Sequence, residues 1–180
     1  MTKQLDKVNI NNEFEFYSII EDLINNETVC KMKNFRQHYN TSTYEHCFNV
    51  AYFSYIVCKK LKLDYKSATR AAMLHDLFLY DWRNSKKLLN LEKAHAFIHP
   101  KIALENSSKL FTLNEKEKDI ILKHMWPVTI SLPKYKESYI ITFIDKFSTI
   151  QETFNFYNNL LKTKKIYKYA YIFFCLLITI

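Results

Sequence analysis

Hydrophobic residues recur along most of this chain at the three- and four-residue spacing of amphipathic helices. In the first such segment, 13–25, that spacing places Phe14, Tyr17, Ile20 and Ile24 on one face. The whole pattern predicts six helices, at 13–25, 42–61, 65–79, 100–110, 114–124 and 135–161, and a polar and aromatic loop at 34–42.

Capping residues and prolines set the predicted ends of these helices. Ser42 and Glu45 have capping-box spacing, and Asp64 is a candidate N-cap for the next helix. Pro100 suits the first turn of the helix that follows it, and Pro127 ends the fifth. Small side chains let a neighbouring helix approach closely, so a central helix is predicted from the alanine face Ala68, Ala71 and Ala72.

The absence of glycine narrows the fold and function classes. Walker phosphate loops, glycine-rich dinucleotide turns and the nucleophile elbow all require backbone that only glycine supplies. Tight β-hairpin turns are disfavoured for the same reason. With 180 residues and three prolines, we expect one all-α domain over 1–180.

The net charge of +8 favours an anionic partner such as a phosphoester, although a lysine-rich solvated surface gives the same number. No nucleic-acid recognition motif accompanies the charge, so we expect no nucleic-acid partner. Four cysteines without a CxxC pair and a polar N-terminal segment predict a cytoplasmic protein with reduced thiols. Cys47 follows His46, but neighbouring helical residues point about 100° apart, which disfavours a nucleophilic pair.

The C-terminal segment, 166–180, is almost wholly apolar. Its uninterrupted part begins after Lys168 and is shorter than the roughly 20 residues that a spanning helix needs. We therefore expect an apolar terminal helix at 162–180 that packs on the core, with a membrane contact as the alternative.

One histidine heads an apolar stripe in the second predicted helix. His46, Val50, Phe53, Val57 and Leu61 follow helical spacing, so the imidazole is predicted to face inward. An inward histidine is either a hydrogen-bonded core residue or a metal ligand.

Two further places combine ionisable and apolar residues. His75 and Asp76 close the alanine-faced helix, where neighbouring side chains can reach one point. Asp145 lies within a helical run, 139–147, that is predicted to be largely buried. A buried carboxylate needs a cationic partner, which is either a lysine or arginine from a neighbouring helix or a metal ion.

The histidines and aspartates form a joint pattern. Successive candidates are separated by 29, 23, 25 and 21 residues, so each helix of a bundle offers about one inward ligand. Imidazoles and carboxylates without thiolates favour Fe, Mn, Zn or Co. Six ligands suit two ions that share the Asp76 carboxylate. The six are His46, His75, Asp76, His99, His124 and Asp145.

These residues resemble the HD-domain metal-dependent phosphohydrolases over 37–152. The resemblance rests on His46, His75-Asp76 and Asp145, which are similar to the minimal metal set of that family, while His99 and His124 resemble the extra pair of its binuclear members. The strings HDLFLYDWR and KHMWP are similar to uncharacterised Firmicute HD proteins, and the histidine pattern is similar to bacterial HD-type dinucleoside tetraphosphate hydrolases. The chain lacks the GYP signature and double histidine of the cyclic-dinucleotide phosphodiesterases.

The resemblance implies an HD helical bundle of about six to eight helices. It also implies hydrolysis of a phosphoester or phosphoanhydride, of a nucleotide above all, by a hydroxide that bridges two divalent ions. Fe or Mn is favoured, and Zn, Co or Mg is compatible. The predicted catalytic residues are Asp76, Lys146 and His95, the last as an acid for the leaving group if its stretch is helical. The predicted substrate-binding residues are Arg83, Lys101, Lys123 and His38. The three cations among them, like Lys146, lie within one or two turns of a proposed ligand, and a solvated surface charge is the alternative for each.

Two other functions fit the same resemblance. A di-iron centre could perform oxygen chemistry, as in some HD-fold oxygenases. A catalytically idle HD module could instead bind a nucleotide for signalling, although the complete ligand set disfavours that interpretation.

Overall fold

The computed structural model describes residues 2–38, 40–84 and 95–163, and side chains within these ranges from 12 to 158. The described part is all-α apart from a two-stranded sheet, as predicted. The predicted terminal helix at 162–180 lies almost wholly outside the described residues. The elements are α1 (Thr2–Ile24), α2 (Glu27–Cys30), β1 (Arg36–His38), β2 (Thr41–Ser42), α3 (Thr43–Lys60), α4 (Tyr65–Leu74), α5 (His95–Leu110), α6 (Glu115–Lys123) and α7 (Lys136–Thr163), with 3₁₀ turns at Lys31–Asn34 and Trp82–Asn84.

Local capping signals start three of the helices. At α3 the Ser42 hydroxyl accepts a hydrogen bond from the Glu45 amide, and the Glu45 carboxylate accepts one from the Ser42 amide. Asn114 makes the same reciprocal arrangement at α6, and Asp64 caps α4. The predicted start of α5 is wrong, because that helix already includes His95 and contains Pro100 in its interior.

The C-terminus of α3 shows how a chain without glycine ends a helix. Lys62 adopts a left-handed backbone with φ of 57°. The Leu63 amide donates to the Cys58 carbonyl at 2.9 Å, and the Lys62 amide donates to the Lys59 carbonyl at 3.1 Å. This is the Schellman pattern, in which glycine is the usual left-handed residue.

Helices α3 and α4 form the centre of the bundle, and the other long helices pack around them. The alanine face of α4 is fully buried, as predicted. The predicted inward face of α1 is confirmed for Ile20, which is buried, but wrong for Phe14, which is 78% exposed; Phe16 and Leu23 fill the core beside Ile20. The stripe on α3 begins as predicted with His46 buried, but Leu61 at its end is 56% exposed.

The run 139–147 on α7 is buried on one side only. Ile141, Ile144 and Asp145 face the core, whereas Phe143 is 71% exposed and Phe147 about half exposed. The prediction of a largely buried run is therefore wrong, although Asp145 itself is buried. Among the described residues, every helix falls short of the combined length and apolar character that crossing a bilayer requires.

One two-stranded hairpin forms, although the lack of glycine disfavours tight β-hairpin turns. Strands β1 and β2 pair antiparallel, with Arg36 opposite Ser42 and His38 opposite Thr41, and the register shifts between Arg36 and His38. Lys62 is the sole described non-glycine residue with positive φ.

Candidate metal centre

The six predicted ligands come from five helices and converge on one buried region. Helix ends place three of them: His46 lies in the first turn of α3, and His75 and His124 directly follow the last residues of α4 and α6. His99 lies inside α5, and Asp145 inside α7. All six are buried, with exposed fractions from 0% to 8% for His46, His75, Asp76, His99, His124 and Asp145.

The first half of the centre joins α3, α4 and α7. His46 Nε2 lies 3.0 Å from Asp145 Oδ1, and His75 Nε2 lies 3.7 Å from the same oxygen. His75 Nε2 is also 3.5 Å from Asp76 Oδ2. His46, His75 and Asp76 can each direct one ligand atom to a common point.

The second half joins α4, α5 and α6. Asp76 Oδ1 lies 3.2 Å from His99 Nε2 and 3.5 Å from His124 Nε2. The two imidazole nitrogens are themselves only 2.7 Å apart. Asp76 therefore faces both halves, with one carboxylate oxygen toward each, and each half could hold a divalent cation.

Each of the four histidines has a hydrogen-bond acceptor beside its Nδ1 atom, on the side of the ring that faces away from the centre. Three bond to main-chain carbonyl oxygens: His75 to Ala72 at 2.7 Å, His99 to His95 at 3.0 Å and His124 to Ile121 at 2.9 Å. His46 Nδ1 instead lies 3.1 Å from Glu152 Oε1. An Nδ1–H in each ring leaves each Nε2 lone pair directed to the centre.

The charges within this cluster shift one another strongly. Burial lowers the pKa of His46, but hydrogen bonds to Asp145 and Glu152 outweigh burial and raise it to about 10. Burial raises the pKa of Asp145, but the hydrogen bond from His46 and the nearby His75 imidazole hold it well below its usual range. Asp145 is therefore ionised at neutral pH, and His46 is protonated when no ion competes.

The donor set fits a divalent metal. His75 Nε2 and Asp76 Oδ1 are fully buried and have no hydrogen-bond partner among the described residues. A buried polar atom without a partner costs on the order of 1–3 kcal/mol, and coordination of an ion would satisfy both atoms. Imidazole and carboxylate ligands at these positions match the chemistry of Fe, Mn, Zn and Co sites.

A cavity of about 400 Å³ opens onto the ligands. Asp76, His99, His124 and Asp145 form its polar end. Apolar wall is supplied by Trp82, Ala96, Met125 and Ile150. Its volume lies within the range of about 300–1,000 Å³ that is typical of small-molecule sites.

Three other predicted site residues also line this cavity: His38, His95 and Lys146. Lys146 Nζ donates to the main-chain carbonyls of His124 and Thr142, both at 3.3 Å. His95 stacks on His99 with ring centroids 4.5 Å apart. Burial, and then the charge of His99, lower the pKa of His95 to about 4, so its ring is neutral near pH 7. The predicted role as an acid requires a protonated ring, which this environment disfavours.

The structure does not bring the remaining predicted cations into the cavity. Arg83 is exposed and pairs with Asp81 at 2.6 Å. Lys123 pairs with Asp119 at 2.6 Å, and Lys101 is exposed on α5. Nearness in sequence to a ligand does not fix direction on a helix, since a step of one or two residues turns the side chain by about 100° or 200°.

Two residues that contact the ligands, Gln37 and Glu152, were not predicted from the sequence. Gln37 Nε2 donates to Asp76 Oδ2 at 2.6 Å, and the Gln37 carbonyl accepts from the Trp82 indole N–H at 3.0 Å. Glu152 contacts His46 across 106 positions of sequence. Glu152 lies seven residues after Asp145 on α7, and this two-turn spacing was the available signal.

Comparison with known proteins gives one match. The family model for the HD domain matches residues 43–150, which is more than half of the chain. The chain belongs to the HD domain family. No curated protein and no solved structure matches it. HD domains bind divalent metals and make up a superfamily of metal-dependent phosphohydrolases, so the buried histidine and aspartate cluster corresponds to the place where this HD domain could hold its metal.

Proposed function

We propose that this HD domain hydrolyses a phosphoester or phosphoanhydride bond of a nucleotide. One observation carries the proposal: six buried imidazole and carboxylate ligands face one region at the polar end of an open cavity. A purely structural cluster would have no need of a cavity that leads to it.

The ligands divide between two divalent ions in this proposal. His46, His75, Asp76 and Asp145 hold one ion, and a second is held by Asp76 together with His99 and His124. Fe or Mn is the favoured metal, and Zn, Co or Mg is compatible. When bound, such ions lower the pKa of a coordinated water and polarise phosphoryl oxygens.

The chain supplies a cation beside the ligands. Lys146 follows Asp145 on α7 and lines the cavity with an ammonium group held by two carbonyl oxygens. We assign to Lys146 the contact with a phosphate oxygen that faces away from the metals. Among the described residues that line the cavity, Lys146 is the only lysine. His38 and His95 are hydrogen-bonding groups for the rest of the substrate.

Aromatic packing at the cavity wall supports a nucleotide. The Trp82 ring stacks on His95 with centroids 5.7 Å apart and planes 25° apart, and its N–H is held by Gln37. A fixed indole beside apolar wall residues suits the flat face of a nucleobase. A small phosphorylated molecule, not a nucleic acid, is the proposed partner.

The test begins with anaerobic purification and measurement of metal per chain. Phosphate release is then screened with Mn²⁺ or Fe²⁺ over nucleotides, dinucleoside polyphosphates and cyclic dinucleotides. Asp76→Asn and Asp145→Asn should each lower metal content and abolish turnover. Asp22→Asn is the matched control, because Asp22 pairs with Arg70 at the surface and its loss should leave both measurements unchanged.

Other results would assign another function. Metal binding with oxygen consumption and no phosphate release would support the di-iron oxygenase. Nucleotide binding without turnover would support a signalling module. Full metal content and full turnover in both ligand variants would contradict the assignment of the centre.

A further inference from the structure

One of the four histidines differs from the others in the group that its Nδ1 atom contacts. The backing acceptor is a main-chain carbonyl for His75, His99 and His124, but a carboxylate from another helix for His46. For His75 and His124 the main-chain acceptor follows from their place at the C-terminus of a helix.

Helix ends differ in the groups they leave free. The last turn of a helix has carbonyl oxygens without amide partners, whereas the first turn has amide N–H groups without acceptors. His75 and His124 follow C-terminal ends and take carbonyls from the turn before. His46 lies in the first turn of α3, where the free backbone groups are donors. The acceptor for its Nδ1–H comes from outside the helix, whereas His99, near the start of α5, takes the His95 carbonyl of its own helix.

Helix α7 supplies that acceptor. Asp145 and Glu152 are seven residues apart, which places them on one face of the helix. Asp145 Oδ1 contacts the Nε2 side of the His46 ring at 3.0 Å, and Glu152 Oε1 and Oε2 contact the Nδ1 side at 3.1 and 3.3 Å. The side chain of Glu152 is 9% exposed, so water competes little for the bond.

We propose that Glu152 is a positioning residue for the metal centre, which fixes the His46 ring and keeps its proton on Nδ1 so that Nε2 binds the ion. A carboxylate behind a ligating imidazole also strengthens the imidazole as a donor. The inference rests on the proposed metal centre and adds that its two halves differ: the His46 half depends on a side chain from α7, and the other half on main-chain carbonyls.

A separate ion held by His38, His46 and Glu152 is the competing explanation, because the three lie close enough to share one. The chemistry of His46 excludes this separate ion. When Nε2 binds the central ion, Nδ1 retains its proton and has no lone pair for a second ion. His38 Nε2 is in turn 3.3 Å from the Thr149 hydroxyl.

The experiment measures Zn²⁺ affinity and stoichiometry by competition with a chromophoric chelator, in the full chain. Glu152→Ala should weaken Zn²⁺ binding by about 10- to 100-fold. Glu152→Gln retains a neutral acceptor and should restore part of that loss. Glu105→Gln is the matched control, because Glu105 pairs with Lys109 on the exposed side of α5. Metal-free thermal melts identify a variant that has lost its fold.

Nitrogen NMR of the Zn²⁺-loaded protein reads the tautomer directly. The wild type should show His46 with a protonated Nδ1, and Glu152→Ala should broaden or shift that signal while His75 stays unchanged. Wild-type Zn²⁺ affinity in both Glu152 variants would overturn the inference and leave the proposed function intact. A wild type that binds no Zn²⁺, Mn²⁺ or Fe²⁺ would overturn both, and a third Zn²⁺ per chain lost with Glu152 would favour the separate ion.

Discussion

Metal binding to this HD domain should become tighter as the pH rises. His46 has a pKa of about 10 because Asp145 and Glu152 hold its protonated ring. At neutral pH the ion must therefore displace the Nε2 proton of the metal-free protein. The ion that His46 binds releases this one proton, so its apparent affinity should rise about tenfold, or about 1.4 kcal/mol, per pH unit.

The same shift acts on the stability of the metal-free fold, in the opposite direction. A raised pKa contributes stability that is fully present below the unfolded value, near 6.5, and is lost as the pH rises through about 10. Metal-free protein should thus lose stability between pH 6.5 and 8.5, while in the metal-bound protein the tighter binding offsets that loss. The melting temperatures of the two forms should diverge across this range.

Thermal melts at a fixed excess of free Mn²⁺ measure this divergence at pH 6.5, 7.5 and 8.5. At a fixed excess of free ion, each tenfold gain in affinity adds an equal increment of about 1.4 kcal/mol to the free energy of unfolding. A chain of this size gains about 2–4 °C per kcal/mol, so the Mn²⁺-induced rise in Tm should increase by about 3–6 °C per pH unit. Asp76→Asn should show no Mn²⁺-induced rise. A rise that stays constant or falls with pH in the wild type would refute the protonated His46.

Three further predictions concern packing, backbone and substrate. Phe16→Ala removes a ring that contacts Phe48 and Tyr52 at centroid distances of 5.4 and 5.2 Å, and should lower the free energy of unfolding by about 3–5 kcal/mol in urea melts; a loss below about 1 kcal/mol would contradict the core assignment. Lys62→Gly removes the strain of the left-handed backbone and should raise the free energy of unfolding by about 1 kcal/mol. A lower free energy of unfolding would mean that the Lys62 side chain itself stabilises the fold. Trp82→Ala should raise KM for nucleotides about 2- to 10-fold and leave KM for inorganic pyrophosphate unchanged, so equal effects on both would exclude base stacking.

Local signals in the sequence predicted much of the fold. Ser42 with Glu45, and Asn114 with Glu117, fix helix starts because each pair satisfies free amides within one turn. The face of α1 could not be predicted in the same way. Phe16, Ile20 and Leu23 follow helical spacing as well as the predicted set does, and only packing against α3 and α4 decides between two apolar faces.

The candidate ligands could be predicted because each helix carries one histidine or aspartate in an apolar context. The residues that contact these ligands and hold them in place could not be predicted. Gln37 reaches Asp76 across 39 positions, and Glu152 reaches His46 across 106. A polar residue at a helix or strand surface has no periodicity that marks it as buried, so such partners emerge only when the tertiary structure closes around them.

The Nδ1 contacts also determine where mutation can damage the centre. A substitution at Ala72, His95 or Ile121 leaves the main-chain oxygen of that residue in place, so the backing of three rings does not depend on which side chain those positions carry. The fourth ring, that of His46, has a side chain as its Nδ1 acceptor, so its orientation depends on which residue occupies position 152. Among random variants of this gene, those that misorient a histidine ligand without altering any ligand should therefore accumulate at position 152.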